Sequence, residues 1–155
     1  MQTNVKIEVT PEPSSIAYHY TIADRLIKIL YSGYLKLCPR EPEPSETQYV
    51  WLTKLPIWDN TAFYGYPTEV LDNAGRIRIT VDLDCINPDS VFNSDDVSET
   101  IYNYKGLINS AKLVGVYPIN WIVINEPVKL CSIISIDMYD ISTRTWKPIH
   151  NLKWR

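Results

Sequence analysis

The chain carries two histidines and 18 acidic residues, and few of them combine a reactive side chain with surroundings that could orient a ligand. His19 closes an alternating segment, Ile16 to Tyr20, immediately before a helix expected to open at Thr21. An imidazole there either points into a cleft beside the backbone of Tyr20 and Thr21, or is an ordinary strand-end histidine satisfied by a neighbour. His150, between Ile149 and Asn151, reads as an exposed side chain. Glu126 interrupts the apolar run Trp121 to Leu130. A carboxylate in such a run needs water, a partner or a substrate, or else sits at an exposed strand end beside Pro127. Trp51 and Tyr64 offer rings with a polar edge, suited to a core or to a planar ligand.

The elements that would position these groups follow from spacing. Val5, Ile7 and Val9 alternate with polar residues as in a half-buried strand, and Ile16 to Tyr20 reads as a second one. Thr21 is expected to cap a helix whose Ile22, Leu26 and Leu30 recur every four residues, with Gly33 as its stop. Residues 38–48 read as a loop, Tyr49 to Thr53 as a strand, and Pro56 to Tyr66 as a short helix or helical turn. Arg76 to Asp84 gives the clearest strand, with Ile77, Ile79, Val81 and Leu83 on one face. A second helix is expected from Asp95 or Asp96 through Ala111, weakened by Gly106. Trp121 to Asn125, Val128 to Ile136 and Thr145 to Ile149 complete the strands. Short strands with two helices and no βαβ repetition predict an α+β fold, in one domain spanning 1–155.

Composition narrows the function classes. The net charge of -3 argues against a broad surface for neutralising phosphates, although a local basic patch stays open. Eleven Tyr and five Trp against two Phe mean that most rings need a hydrogen bond or a wet position, as a cleft provides. The N-terminal residues lack the apolar stretch of a signal peptide and no run reaches the length of a membrane span, so a cytoplasmic protein without membrane contact is expected. Cys38, Cys85 and Cys131 are odd in number and widely spaced, which supports neither a disulfide framework nor a metal site and predicts small buried residues. Nucleotide-binding glycine motifs are absent.

Taken in order, three segments resemble the ADP-ribosyltransferase fold, in its diphtheria-toxin and poly(ADP-ribose) polymerase branch. His19-Tyr20-Thr21, then Leu26, Ile29-Leu30, Gly33 and Leu35, is similar to that branch's His-Gly-Ser/Thr strand end and its Leu-x-x-Ile-Leu-x-x-Gly-Leu helix. Trp51-Leu52-Thr53 followed by Thr61-Ala62-Phe63-Tyr64 resembles the Tyr-Phe-Ala/Ser strand and Ser-Ala-Asn-Tyr helix, and Asn125-Glu126 resembles the Asn-Glu pair that supplies the catalytic carboxylate.

The resemblance implies a split β-sheet core with about two main helices, and NAD as co-substrate without a metal. It implies that His19 bonds the adenosine ribose, that the Tyr20 backbone holds the carboxamide next to Thr21, that Tyr64 stacks on the nicotinamide, and that Trp51 and Thr53 line the pocket. Glu126 would be the catalytic residue, stabilising the positive charge at C1' as nicotinamide leaves. The acceptor is unidentified: a protein, a nucleic acid or a small molecule. The stretch from Ile79 to Tyr104 has no Lys or Arg, which disfavours nucleic acid near it. Tyr20 in place of glycine, Trp51 in place of tyrosine, and Pro127 keep a non-catalytic binding module on the same fold as the alternative. An RNA 2'-phosphotransferase-like enzyme, which would need basic side chains such as Arg25, Arg40, Arg76 or Arg78 at the pocket, is the other.

Overall fold

β-branched and aromatic residues at successive positions extend Ile16–Ile22 into the central strand, β1, of an antiparallel sheet. The computed structural model describes residues 15–37, 46–63 and 65–149; the strand expected over 5–9, Cys38, Tyr64 and His150 lie outside them. Chain order continues with helix α1 (Ala23–Ser32), β2 (Tyr34–Leu35), β3 (Val50–Thr53), α2 (Thr68–Ala74), β4 (Arg76–Asp82) and β5 (Val91–Asn93). Helix α3 (Tyr104–Leu113), β6 (Trp121–Ile124), β7 (Val128–Lys129), β8 (Ile133–Asp140) and β9 (Thr145–Pro148) follow. Seven strands form one sheet in the order β5-β6-β3-β1-β4-β8-β9, and β2 pairs with β7 in a second. Every pairing among the described residues is antiparallel, and helices connect or flank the strands, so the class is α+β. No helix among the described residues is long and apolar enough to cross a membrane.

The ladder is uneven. β1 meets β4 over seven register pairs, from Ile16↔Asp82 to Ile22↔Arg76, but meets β3 at a single pair, Tyr18↔Thr53. The long side is cemented by Ile77, Ile79, Val81, Ile133 and Ile136, all essentially inaccessible to solvent. Burying each such side chain stabilises the fold by about 1.5–3 kcal/mol. On the β1–β3 side the sheet opens into a seam.

Several expected boundaries move, each for a local reason. Thr21 does not cap α1: it lies inside β1, buried and paired with Ile77, and the N-cap is Ile22, which makes no side-chain cap bond. The seven-pair ladder outcompetes the cap. The first N–H of the helix, on Ala23, instead donates to the Gly75 carbonyl at 3.0 Å. Gly33 ends α1 in the left-handed region as expected.

Of the short helix or helical turn expected over Pro56 to Tyr66, the described residues form only the turn, at 60–63, where the Ala62 N–H donates to the Asp59 carbonyl; the carbonyls of Leu55, Pro56 and Ile57 accept hydrogen bonds from side chains of the sheet. A helix would need those carbonyls for itself. The seven-residue α2 arises instead in 68–74, which carries only Val70 and Leu71 as large apolar residues. The second helix starts at Tyr104 rather than near Asp95: residues 94–100 make 3-10 turns with a break at Val97, and Asn103 is left-handed at φ 48°. There the Asn93 side chain accepts from the Asp95 N–H and Asp95 accepts from the Tyr104 hydroxyl, so polar side chains compete with helix propagation.

The strand expected over Val128 to Ile136 is two strands, since β7 belongs to the small sheet and β8 to the large one, with a 3-10 turn at Leu130–Ser132 between them. Leu83 likewise leaves β4 for a turn. Cys85 and Cys131 sit in these turns and are exposed, not buried. The Cys85 thiol donates to Asp82, and that bond pushes its pKa up.

Gly75 occupies φ 80°, ψ 102°, a conformation that side chains resist, and a Cβ there would stand 3.4 Å from the Ala23 side chain. Gly75→Ala is expected to cost about 1–3 kcal/mol, because it strains the residue whose carbonyl holds the start of α1. Urea unfolding of the variant beside Gly33→Ala, which has open space around it, measures the difference.

Candidate functional site

The seam between β1 and β3 opens into a cavity of about 430 Å³, within the range of small-molecule sites. Strand alternation sends Tyr18 and Tyr20 to one face of the sheet and Ala17 and His19 to the other. Tyr18, His19 and Tyr20 nevertheless all line the same cavity, as do Trp51, Leu52 and Thr53 from β3. A space reached from both series of a strand must lie where the sheet is parted. Asp59, Thr61 and Ala62 of the 54–67 segment form a roof, Ile101, Leu107 and Trp121 a far wall, and residues 46–49 one end.

His19 defines the seam. Continuing the Tyr18↔Thr53 register would place Tyr20 opposite Trp51 and offer the Trp51 carbonyl a strand N–H. In its place the His19 ring bonds that carbonyl through Nδ1 at 3.0 Å. A carbonyl only accepts, so Nδ1 carries the proton and Nε2 is left as an acceptor. Burial lowers the His19 pKa, the bond to Trp51 opposes this, and Arg25 lowers it further; the neutral ring is favoured.

Among the other polar lining groups, Thr53 and Asp59 are held in place by hydrogen bonds. Thr53 Oγ accepts from the Leu55 N–H at 3.2 Å, which leaves its own hydroxyl proton to donate. Asp59 is buried, yet both carboxylate oxygens are engaged. One accepts from the Thr61 N–H at 2.9 Å and from the Thr61 hydroxyl, the other from the Trp121 indole N–H at 3.2 Å. Trp51 and Trp121 pack edge to face at 5.8 Å, giving the cavity flat apolar surfaces. Behind the far wall, burial pushes the Tyr104 phenol up to about 12, aided by its bond to Asp95, so it stays a donor. Burial likewise raises the Tyr20 phenol against the pull of Arg78, and its hydroxyl donates to the Leu55 carbonyl.

Of the residues singled out from sequence, His19, Tyr20, Trp51 and Thr53 line the cavity together. Thr21 does not; its side chain is buried within the β1–β4 ladder. Tyr64 lies outside the described residues. Glu126 is half-buried on the turn after β6 and is not a lining residue. The Asn125 N–H donates to the Ser90 carbonyl at 3.1 Å, tying that turn toward the β5 edge. Tyr18, Asp59 and Trp121 are lining residues that spacing alone passed over. A signal for Asp59 existed, because Asp-x-Thr favours the turn in which Asp59 accepts from the Thr61 N–H. The chain matches no family model, no curated protein and no solved structure.

The depressed His19 pKa sets a pH dependence. A base that is harder to protonate folded than unfolded contributes no penalty above the unfolded value, near 6.5, and costs stability as pH falls below it. Wild-type stability is therefore expected to fall between pH 6.5 and 5 by up to about 1.4 kcal/mol per pH unit from this group. His19→Asn, which keeps a donor for Trp51 but does not titrate, should lose that component. Urea unfolding of both proteins at pH 7.5 and 5.5 measures it.

Proposed function

We propose that the seam cavity binds NAD and that the chain is an ADP-ribosyltransferase that transfers ADP-ribose to an acceptor with release of nicotinamide. The observation that carries this reading is the convergence of His19, Tyr20, Trp51 and Thr53, all implicated by the ADP-ribosyltransferase resemblance, on one cavity at a parted sheet. The cavity's chemistry supports it as well. A neutral imidazole with a free acceptor nitrogen suits a ribose hydroxyl, the Thr53 hydroxyl proton suits a carboxamide oxygen, and indole faces suit a planar ring. No Lys or Arg lines the cavity among the described residues, which leaves an RNA 2'-phosphate without a cation there, in addition to the NAD diphosphate that both reactions share.

In the proposed reaction the bond between C1' and the nicotinamide nitrogen breaks, and its electron pair leaves with nicotinamide. The acceptor's nucleophile then bonds C1' and gives up its proton. Positive charge grows on the ribose before that bond forms, so an anionic group near C1' lowers the barrier. Glu126 takes that role in the resemblance. The buried carboxylate already facing the cavity is Asp59.

A non-catalytic NAD-binding module is the second reading. Two observations favour it: Glu126 stands outside the lining, and both Asp59 oxygens are bound by Thr61 and Trp121.

Calorimetric titration with NAD, paired with a nicotinamide-release assay, separates the readings. NAD at 100 times its dissociation constant is expected to stabilise the fold by about 2.7 kcal/mol. Glu126→Gln should keep NAD binding and lose two or more orders of magnitude in release, on the order of removing one transition-state stabiliser. Binding without release in wild type supports the module, and absence of both heat and stabilisation rejects the NAD site.

A further inference from the structure

The cavity roof is held by side chains of three strands of the large sheet. Three consecutive carbonyls, Leu55, Pro56 and Ile57, accept from three side chains on three strands: Tyr20 of β1, Arg78 of β4 and Trp146 of β9. These side chains share one face of the sheet, since Tyr20 is opposite Arg78, Arg78 opposite Asp137, and Tyr139 opposite Trp146. Trp146 is the outermost and the most connected. Its indole N–H donates to Ile57 at 2.7 Å, and its ring stacks on Trp58 at 6.5 Å and lies 5.8 Å from Tyr20. Arg78, paired with Asp137 at 3.1 Å, sits over the same indole at 5.0 Å.

Two residues beyond the pinned carbonyls, the segment enters the cavity with Asp59, whose carboxylate latches to Trp121 on the far wall. The roof is therefore suspended between three pins on the sheet, the outermost from the β8–β9 hairpin, and two ties beyond them: the Asp59 latch inside the site and the Asn60 amide, which donates to the Val114 carbonyl at 3.1 Å. We propose that Trp146, which does not line the cavity, is a positioning residue for the ligand site, setting the place of the Asp59–Ala62 roof through its N–H bond to Ile57 and its contact with Tyr20.

Trp146→Phe keeps a ring for the stack and removes the N–H. Hydrogen exchange is read at the Thr61 and Ala62 amides, which bond Asp59 in the roof, and at β4 amides in the sheet. The variant should speed roof exchange by roughly five- to ten-fold, as expected for loss of one hydrogen bond, with β4 unchanged. Lys147→Ala, on the same hairpin with its ammonium paired to Asp140, should leave the roof as in wild type. Roof exchange equal to wild type, or a rise shared equally by β4, overturns the proposal.

If Trp146→Phe does not fold, wild-type exchange decides. The Trp146 indole proton and the Thr61 amide open with one free energy if they are pinned together, and with separate ones if the proposal is wrong. The consequence for ligand rests on the NAD reading: affinity for NAD should weaken by a similar factor in Trp146→Phe. Wild type that fails to bind NAD defeats that reading alone, because the exchange result stands without it.

Discussion

The hydrogen bond from His19 to the Trp51 carbonyl is the constraint on which the site depends. A continuous antiparallel sheet would close β1 against β3 and satisfy that carbonyl with a backbone N–H. Filling the position with an imidazole spares the carbonyl the cost of burial without a partner while holding the strands apart. The arrangement keeps the ring neutral and fixes its tautomer, so one interaction both opens the cavity and chooses the hydrogen-bonding character of its floor.

The two sides of β1 divide the work of the fold. Toward β4 the ladder is long and its apolar face is closed to solvent, which supplies rigidity. Toward β3 the pairing is minimal, which supplies space. Tyr20 belongs to both sides: its backbone lies in the ladder opposite Arg78, its ring borders the cavity, and its hydroxyl holds the roof. A ligand in the seam would rest against residues anchored in the longest ladder of the sheet. That is the support a binding site needs to keep its polar groups in place.

What could be read from the sequence was whatever depends on local period or on a single strong residue. The apolar alternation of Ile77, Ile79 and Val81 marked β4, and Gly33 marked the end of α1. The α+β class followed from the mix of short strands and helices. Thr21, by contrast, looked like a cap because capping is local, while its pairing with Ile77 is made across more than fifty residues. Pro56 to Tyr66 keeps the expected turn at 60–63 but not a helix for the same reason, since the side chains that claim the carbonyls of Leu55, Pro56 and Ile57 come from three distant strands. In the site, His19, Trp51 and Thr53 were legible because they cluster on two strands. Asp59 and Trp121 were not, because only the closed roof brings them within 3.2 Å. Glu126, a carboxylate conspicuous in an apolar run, lies on a turn that the Asn125 N–H ties to the Ser90 carbonyl just before β5.

The most direct test of a ligand site at the parted seam uses the indole N–H signals as reporters at known places. Trp51 and Trp121 border the cavity, whereas Trp146 on the β9 hairpin is not a lining residue. In a proton–nitrogen correlation titration with NAD, the Trp51 and Trp121 indole signals should shift together and saturate at one concentration. Unchanged signals at both, with or without shifts elsewhere, would contradict a ligand site in the seam.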